Sequence, residues 1–203
     1  MATIVFTEHR RHGTGTTTGA SVAEITPVTS IRFHNGVDGQ VSATDSPLIR
    51  PGTGTNYSWN KFIDVTVSSA FTSISSPQVS ASAVSATGEL GSDEVYLYYA
   101  FQRKGAATGV ALTSADFGEV VNGTDAQPNG ISGEAAPAAW NSGTAQNWGG
   151  LTTFTSAGQF STLSASQNTD GDEYLCLQLA ITDAVATGGA LASFSLTLTY
   201  NEV

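Results

Sequence analysis

The clearest candidates for acid–base chemistry are three histidines, His9, His12 and His34, which all lie in the first 34 residues of the chain. The sequence contains no G-x-S-x-G motif that would supply a nucleophilic serine. Glu8-His9 lacks the second histidine that the helix of a zinc protease requires. Because a nucleophile must be held within hydrogen-bond reach of its base, this distribution argues against a nucleophilic hydrolase.

The best metal-binding candidate is the acidic turn at residues 168–173. Asn168, Asp170 and Asp172 place oxygen-bearing side chains at alternate positions, as in the first half of a calcium-binding loop. Glu173 stands where that loop turns on glycine, and Leu179 stands where its closing glutamate belongs. Since calcium takes about six or more oxygen ligands, we interpret the stretch as a solvated turn and expect no metal ion and no other cofactor.

A second candidate for binding is the segment 122–150, which is rich in Gly, Ala, Asn and Pro and carries Trp140 and Trp148. Two tryptophans beside asparagines are suited to stacking on sugars or to anchoring a protein partner. A long loop without its own secondary structure is often functional. The alternative is that both rings fold back to cover the core, and we favour this second interpretation.

Composition excludes several classes of function. The chain has 203 residues, seven Lys and Arg against seventeen Asp and Glu, and a net charge of −10. A nucleic-acid binder needs a basic surface, and no apolar run approaches the length of about 20 residues that a transmembrane helix needs. The first residues meet charge at Glu8 and do not resemble a signal peptide. Cys176 is the single cysteine, which rules out an internal disulfide. We expect neither nucleic acid nor membrane as a partner.

Alternating apolar residues predict strands, and no window keeps a helical period over several turns. Lys61 shares a face with Ile63, Val65 and Val67, so the pattern predicts a lysine that points inward. The other strand faces that the pattern predicts to be buried are Val95, Leu97, Tyr99 and Phe101, then Leu175, Leu177, Leu179 and Ile181, then Phe194, Leu196, Leu198 and Tyr200. The last two sets predict a terminal β-hairpin that covers a core.

These patterns predict an all-β fold, a single β-sandwich of Ig-like or jelly-roll-like type at residues 21–203. Asp170, Tyr174 and Cys176 match the D-x-x-x-Y-x-C spacing of Ig-like domains, although the partner cysteine is absent. Residues 1–20 are rich in Gly, Thr and charge, so we interpret them as an extended N-terminal arm. Residues 122–150 form a long loop of the sandwich.

Three features resemble virion structural proteins of tailed bacteriophages, particularly capsid decoration or cement proteins and related tail or fibre proteins. They are the arm MATIVFTEHRRHGTGTTTGA, the nearly cysteine-free body and the last strand SFSLTLTYNEV. The resemblance implies a non-enzymatic protein of the virion that is made in the host cytoplasm. It also implies a homo-oligomer that binds a capsid protein or another virion protein.

The arm is the expected point of contact with that partner. Residues 1–61 carry five bases and four acids, whereas residues 62–203 carry two bases and thirteen acids. We therefore expect Arg10 and Arg11 to lie on an acidic neighbour, and Ile4 and Phe6 to add a strand to a foreign sheet. The alternative function is a glycan- or receptor-binding module that uses the loop from Trp140 to Trp148. An enzyme ranks third.

Overall fold

A computed structural model defines how the strands are arranged. It describes residues 1–12, 21–31, 33, 50–58, 61–68, 70–83, 95–104, 138–139, 145–148, 153–154, 158–159, 172–185 and 194–203. Secondary structure in these ranges consists of strands and turns, without a helix. Within the same ranges, no helix is long and apolar enough to cross a membrane.

The strands recur along the whole described chain, which confirms the predicted all-β class. In chain order they are β1 (Thr3–His12), β2 (Ser21–Ile25), β3 (Thr55–Tyr57), β4 (Lys61–Ser68), β5 (Ile74–Ala83), β6 (Val95–Lys104), β7 (Ala138–Ala139), β8 (Ala145–Asn147), β9 (Thr153–Phe154), β10 (Gly158–Gln159), β11 (Asp172–Thr182) and β12 (Phe194–Glu202).

The strands form two antiparallel sheets, as the sandwich interpretation predicts. The large sheet has the order β2-β1-β4-β11-β6-β7, with β10 paired to β4 and β3 paired to β11. The small sheet has the order β12-β5-β8, with β9 also paired to β5. The hydrophobic core contains side chains from both sheets, including Val65 of β4, Leu177 of β11 and Val79 of β5. The inward faces predicted for β4, β6 and β11 are confirmed, because their Val and Leu side chains and Ile63 belong to this core, and Ile181 is buried as well.

The predicted terminal hairpin is wrong. β11 lies in the large sheet between β4 and β6, whereas β12 lies in the small sheet and pairs with β5. The period of two specifies which face of a strand is buried but not which strand lies beside it. Both strands keep the predicted faces, because Leu175, Leu177 and Leu179 are buried and Ser195, Thr197 and Thr199 are exposed.

The N-terminal residues also differ from the expected arm. Thr3–His12 form β1, which pairs with β4 from Thr3 to His9 and with β2 from Glu8 to His12. The charged residues after Phe6 predicted a solvent-exposed segment, but the Glu8 side chain is buried beside the ammonium group of Lys61. Residues 13–20 lie outside the described part of the chain.

The middle of the large sheet is buried on both faces. On the face opposite the core, Phe62, Cys176 and Gln178 are at most 2% exposed, and Asp64 and Tyr174 are 5% exposed. Strands buried on both sides normally carry continuous apolar runs. The polar side chains on this outer face therefore need partners, and Asp64 finds one in His9 of β1.

Candidate functional site

A buried ion pair joins β1 to β4 on the core side of the large sheet. Glu8 lies opposite Ile63 in the register, and Lys61 lies two residues away on the same face. The distance between Lys61 Nζ and Glu8 Oε1 is 3.1 Å, and the two side chains are 3% and 1% exposed. Diagonal neighbours in an antiparallel pair are within reach of long side chains. The inward orientation predicted for Lys61 is confirmed, with Glu8 as its acidic partner.

A second pair joins the same strands on the outer face. His9 follows Glu8 in β1 and points to the opposite side, where its Nε2 lies 2.7 Å from Asp64 Oδ2. The His9 ring also meets the ring of Tyr174 edge to face, with centroids 5.2 Å apart. Asp64 Oδ1 is buried and accepts no hydrogen bond from the described residues. Successive residues of β1 thus make charge-bearing contacts on both faces of the sheet.

The His9–Asp64 pair has the parts of a general base and its orienting acid, but no nucleophile of the described chain lies beside it. Cys176 points to the same face, yet Phe62 of β4 lies between it and His9, since Phe62 is the register partner of both residues. Burial also raises the pKa of the Cys176 thiol, which keeps the sulfur protonated and weakly nucleophilic at neutral pH. Among the described residues no group of three or more His, Cys, Asp or Glu side chains is placed to hold a metal.

The two pairs fit a structural role. A shift of one residue between β1 and β4 would turn Glu8 to the outer face and His9 to the core face, and both pairs would be broken. A broken buried pair leaves an uncompensated charge, which costs about 3–5 kcal/mol. The pairs therefore specify the register of β1 against β4.

The predicted arm residues are part of this strand. Ile4 and Phe6 pair with Val67 and Val65 of β4, and their partly buried side chains pack against the core. The backbone of Arg10 and Arg11 pairs with β2, and their side chains lie outside the described part of the chain. The residues expected to contact a partner are thus bonded within the chain along β1.

Trp148 lies in the core rather than on the surface. Its side chain is 0% exposed, and its ring centroid lies 5.5 Å from that of Phe101. The backbone N–H of Trp148 donates to the carbonyl of Pro77 at 2.9 Å. Pro77 follows Ser76, which has a φ of 50° at the irregularity where the register between β5 and β12 shifts. The ring therefore covers the core, as one of the two sequence interpretations holds. Trp140 lies outside the described residues.

The acidic turn is only partly visible. Asn168 and Asp170 lie outside the described ranges, and Asp172 is the first residue of β11, where its backbone pairs with Lys104.

The feature that sequence reasoning missed is the edge of the small sheet. Among the described residues, β5 is the sole strand that pairs with β12. The nine residues of β12, FSLTLTYNE, contain no lysine and no proline, and Glu202 is their single charge. Leu196, Leu198 and Tyr200 are only partly buried, although they pack against the core. Natural edge strands are usually short or carry charge or proline, which prevents pairing with other chains.

The backbone of β12 shows which groups face the free edge. Val203 exchanges both backbone hydrogen bonds with Ser73, at 2.9 and 3.0 Å. Before the register shift, Pro77 accepts from Trp148 on the β8 side of β5. Since bonding alternates along an antiparallel strand, Gln78 and Ser80 bond on the other side, to their partners Thr199 and Thr197. Odd-numbered residues of β12 therefore bond to β5 on both sides of the shift. Leu196, Leu198 and Tyr200 therefore direct their N–H and C=O groups away from β5, toward the free edge. There they form an unpaired row, in the sense that no strand of the described residues bonds to them.

The edge strands of the large sheet differ from β12. Among the described strands the outermost ones of that sheet are β2, with five residues, and β7, with two residues. Both follow the usual ways of protecting an edge, whereas β12 is long and uncharged up to Glu202. The sequence SFSLTLTYNEV shows that this strand lacks lysine and proline. Its position at an edge follows only from the structure, in which β12 and β11 lie in different sheets.

Comparison with protein-family models, with curated proteins and with solved structures found no match to this chain. The functional interpretation therefore depends on the residues and geometry described above.

Proposed function

We propose that this chain is a non-enzymatic structural protein of a bacteriophage particle, which assembles on the capsid as a decoration or cement protein. The observation that carries the proposal is the edge of β12 with which no described strand pairs. An exposed edge of this length without charge favours pairing with another chain, and a protein that functions by assembly needs such a surface. The capsid as the place of assembly follows from the resemblance noted in the sequence.

The rigidity of the β12 edge supports the same proposal. The amino group of Met1 donates to the carbonyl of Ala70 at 3.0 Å and lies 3.4 Å from Glu202. The backbone N–H of Ala2 also donates to the Glu202 carboxylate, at 2.6 Å. β12 is thus bonded to β5 along its length and tied to the start of β1 at its end. An edge that is already ordered has little conformational entropy to lose on assembly.

The arrangement of the buried charges supports the non-enzymatic part of the proposal. Glu8, Lys61, His9 and Asp64 are at most 7% exposed and contact one another in pairs. Groups that catalyse a reaction must reach the substrate, whereas these four face each other across β1 and β4. Their contribution is to the fold.

We propose β12, and not β1, as the strand that contacts the partner. If β1 left β4 so that Ile4 and Phe6 could enter a foreign sheet, Lys61 would lose its buried partner Glu8. That loss costs about 3–5 kcal/mol before any new contact forms. The free edge of β12 requires no such opening.

The proposal is tested by quantitative mass spectrometry of particles purified from the phage whose genome encodes the chain. We expect the chain to be present at a constant number of copies relative to the major capsid protein after washing in high salt. Absence of the chain from particles, with recovery only from the unassembled fraction, would contradict the proposed function.

A further inference from the structure

We infer that the partner of the β12 edge is β12 of a second copy, paired antiparallel about a two-fold axis at Leu198, so that two small sheets form one continuous sheet. This inference rests on the proposed function and names the partner at the same site. It deepens that proposal because it assigns the register and the symmetry of the contact.

Backbone geometry places the axis. Leu198 is the central residue of Phe194–Glu202, so an axis there overlaps the whole strand. Leu198 directs both backbone groups to the free edge and would bond to Leu198 of the second copy. Leu196 and Tyr200 would then pair reciprocally, as an isologous contact requires. The unpaired row of the edge is satisfied along its length.

The side chains are compatible with this register. An antiparallel strand that pairs with itself about one of its own residues keeps each face in line with the same face of its copy. Leu196, Leu198 and Tyr200 would extend the core faces of both copies into one apolar strip. Thr197 would face Thr199 of the second copy on the exposed face, and threonine pairs across strands are stabilising.

Charge favours a second copy of the same chain at this place. The chain has a net charge of −10, so most of its surface repels another copy. Phe194–Asn201 carry no charge, and the single acid of the strand, Glu202, is paired with the amino group of Met1. Two copies can therefore meet along β12 without opposing carboxylates.

The first test is a pair of charge variants examined by sedimentation velocity over a range of concentrations. We expect the wild-type chain to dimerise reversibly. Thr197→Lys with Thr199→Lys, and separately Thr197→Glu with Thr199→Glu, place like charges opposite each other and should raise the Kd by roughly tenfold or more. An equimolar mixture of the two variants places Lys opposite Glu and should restore dimers. Thr197→Ser with Thr199→Ser is the matched control and should dimerise like the wild type.

The second test is disulfide trapping, which reports the register. Thr197 and the second copy's Thr199 would form a non-hydrogen-bonded pair with Cα atoms about 4.5 Å apart, which suits a disulfide. Thr197 and its own copy would lie about 7–8 Å apart on the diagonal, which is too far. A mixture of Thr197→Cys and Thr199→Cys chains should therefore cross-link under mild oxidation, and either variant alone should not. Ser80→Cys, one strand further in on β5, is the negative control with either variant.

The outcomes separate this inference from the proposed function. A wild-type chain that stays monomeric at all concentrations, Lys variants that still dimerise, or cross-linking that is as strong with Ser80→Cys would overturn the two-fold pairing. A chain that is monomeric alone yet present in particles at a constant copy number would overturn it too, while it leaves the proposed function standing. Loss of folding in the variants is excluded by an unchanged thermal unfolding midpoint, because Thr197 and Thr199 are exposed.

Discussion

Two adjacent residues of β1 account for an unusual use of charge in this protein. Only 12% of the chain is charged, yet Glu8 and His9 meet Lys61 and Asp64 in contacts that are almost fully buried. Taking such groups out of water is costly, and well-packed apolar residues of similar size would often be as stable. The benefit of the polar pairs is specificity, because they are formed in one register of β1 against β4.

Lys61→Met tests the role of the core-side pair. We expect the single substitution to lower the free energy of unfolding by about 3–5 kcal/mol, since it leaves the Glu8 carboxylate buried without its cation. The double variant Glu8→Leu with Lys61→Met should recover most of that loss. Equilibrium unfolding in urea measures both values.

Arg50→Met is the matched control for the Lys61 substitution. Arg50 is exposed and donates to the carbonyl of Asp183 at 2.6 and 3.2 Å. Loss of a hydrogen bond at an exposed site should cost about 1 kcal/mol or less. If Lys61→Met cost no more than Arg50→Met, the buried pair would have no special weight in the fold.

Cys176 should make stability depend on pH in the alkaline range. Burial raises the pKa of its thiol above the ordinary value of 9.0, so the folded chain keeps the proton where the unfolded chain loses it. The unfolded state then binds fewer protons, and the free energy of unfolding falls as pH rises above about 9. Unfolding curves between about pH 7 and about pH 10 should show a smaller decline for Cys176→Ala than for the wild type. Equal slopes would contradict the assignment.

The strand β1 is an integral part of the large sheet, because it pairs with both β2 and β4. It supplies hydrogen bonds to β4 from Thr3 to His9 and holds β2 beside it. Its first residues also approach the small sheet, where Ala2 contacts Glu202. Removal of β1 therefore affects both sheets.

Deletion of residues 1–12 should prevent cooperative folding. β4 would lose its partner strand, and Lys61 and Asp64 would both lose the groups that compensate them. We expect no cooperative thermal transition by circular dichroism or calorimetry. Glu202→Gln, which weakens the contact with Ala2 but keeps β1, should still unfold cooperatively. A truncated chain that melts close to the full-length chain would show that residues 1–12 are dispensable for the fold.

The sequence predicts faces of strands better than partners of strands. The buried faces of β4, β6 and β11 follow from alternation of apolar residues, because each strand has one face toward the same core. The hairpin of β11 and β12 was wrong because alternation is equally satisfied in either sheet. The run around Ile4 and Phe6 was expected to form a strand in a foreign sheet, whereas it pairs with β4 of the same chain. Glu8 breaks the apolar alternation there, and only the three-dimensional position of Lys61 explains that break.

In the candidate site too, the sequence predicts the orientation of a side chain but not its partner. The inward lysine at position 61 is predicted from its neighbours Ile63 and Val65, but its partner is 53 residues earlier in the chain. The free edge of β12 depends on sheet order, which local patterns do not contain. Trp148 is buried in the core, as the favoured interpretation of its loop holds.

Salt should strengthen association of the whole molecule, because it screens the repulsion between acidic surfaces and leaves the uncharged edge of β12 unaffected. Copies with a net charge of −10 repel each other at a distance. Raising the ionic strength from about 0.05 M to about 0.5 M shortens the screening length, so dimerisation through β12 should become tighter. Sedimentation at both salt concentrations measures the change. Weaker association at high salt would instead favour a contact between Arg10 or Arg11 and an acidic neighbour.

A high-resolution cryo-electron microscopy map of the proposed phage particle would show whether the chain assembles there through β12. We predict density for this chain on the particle surface, with the free edge of β12 hydrogen-bonded to another strand through Leu196, Leu198 and Tyr200. Particles that lack the chain, or particles in which β12 faces solvent along that edge, would contradict the account.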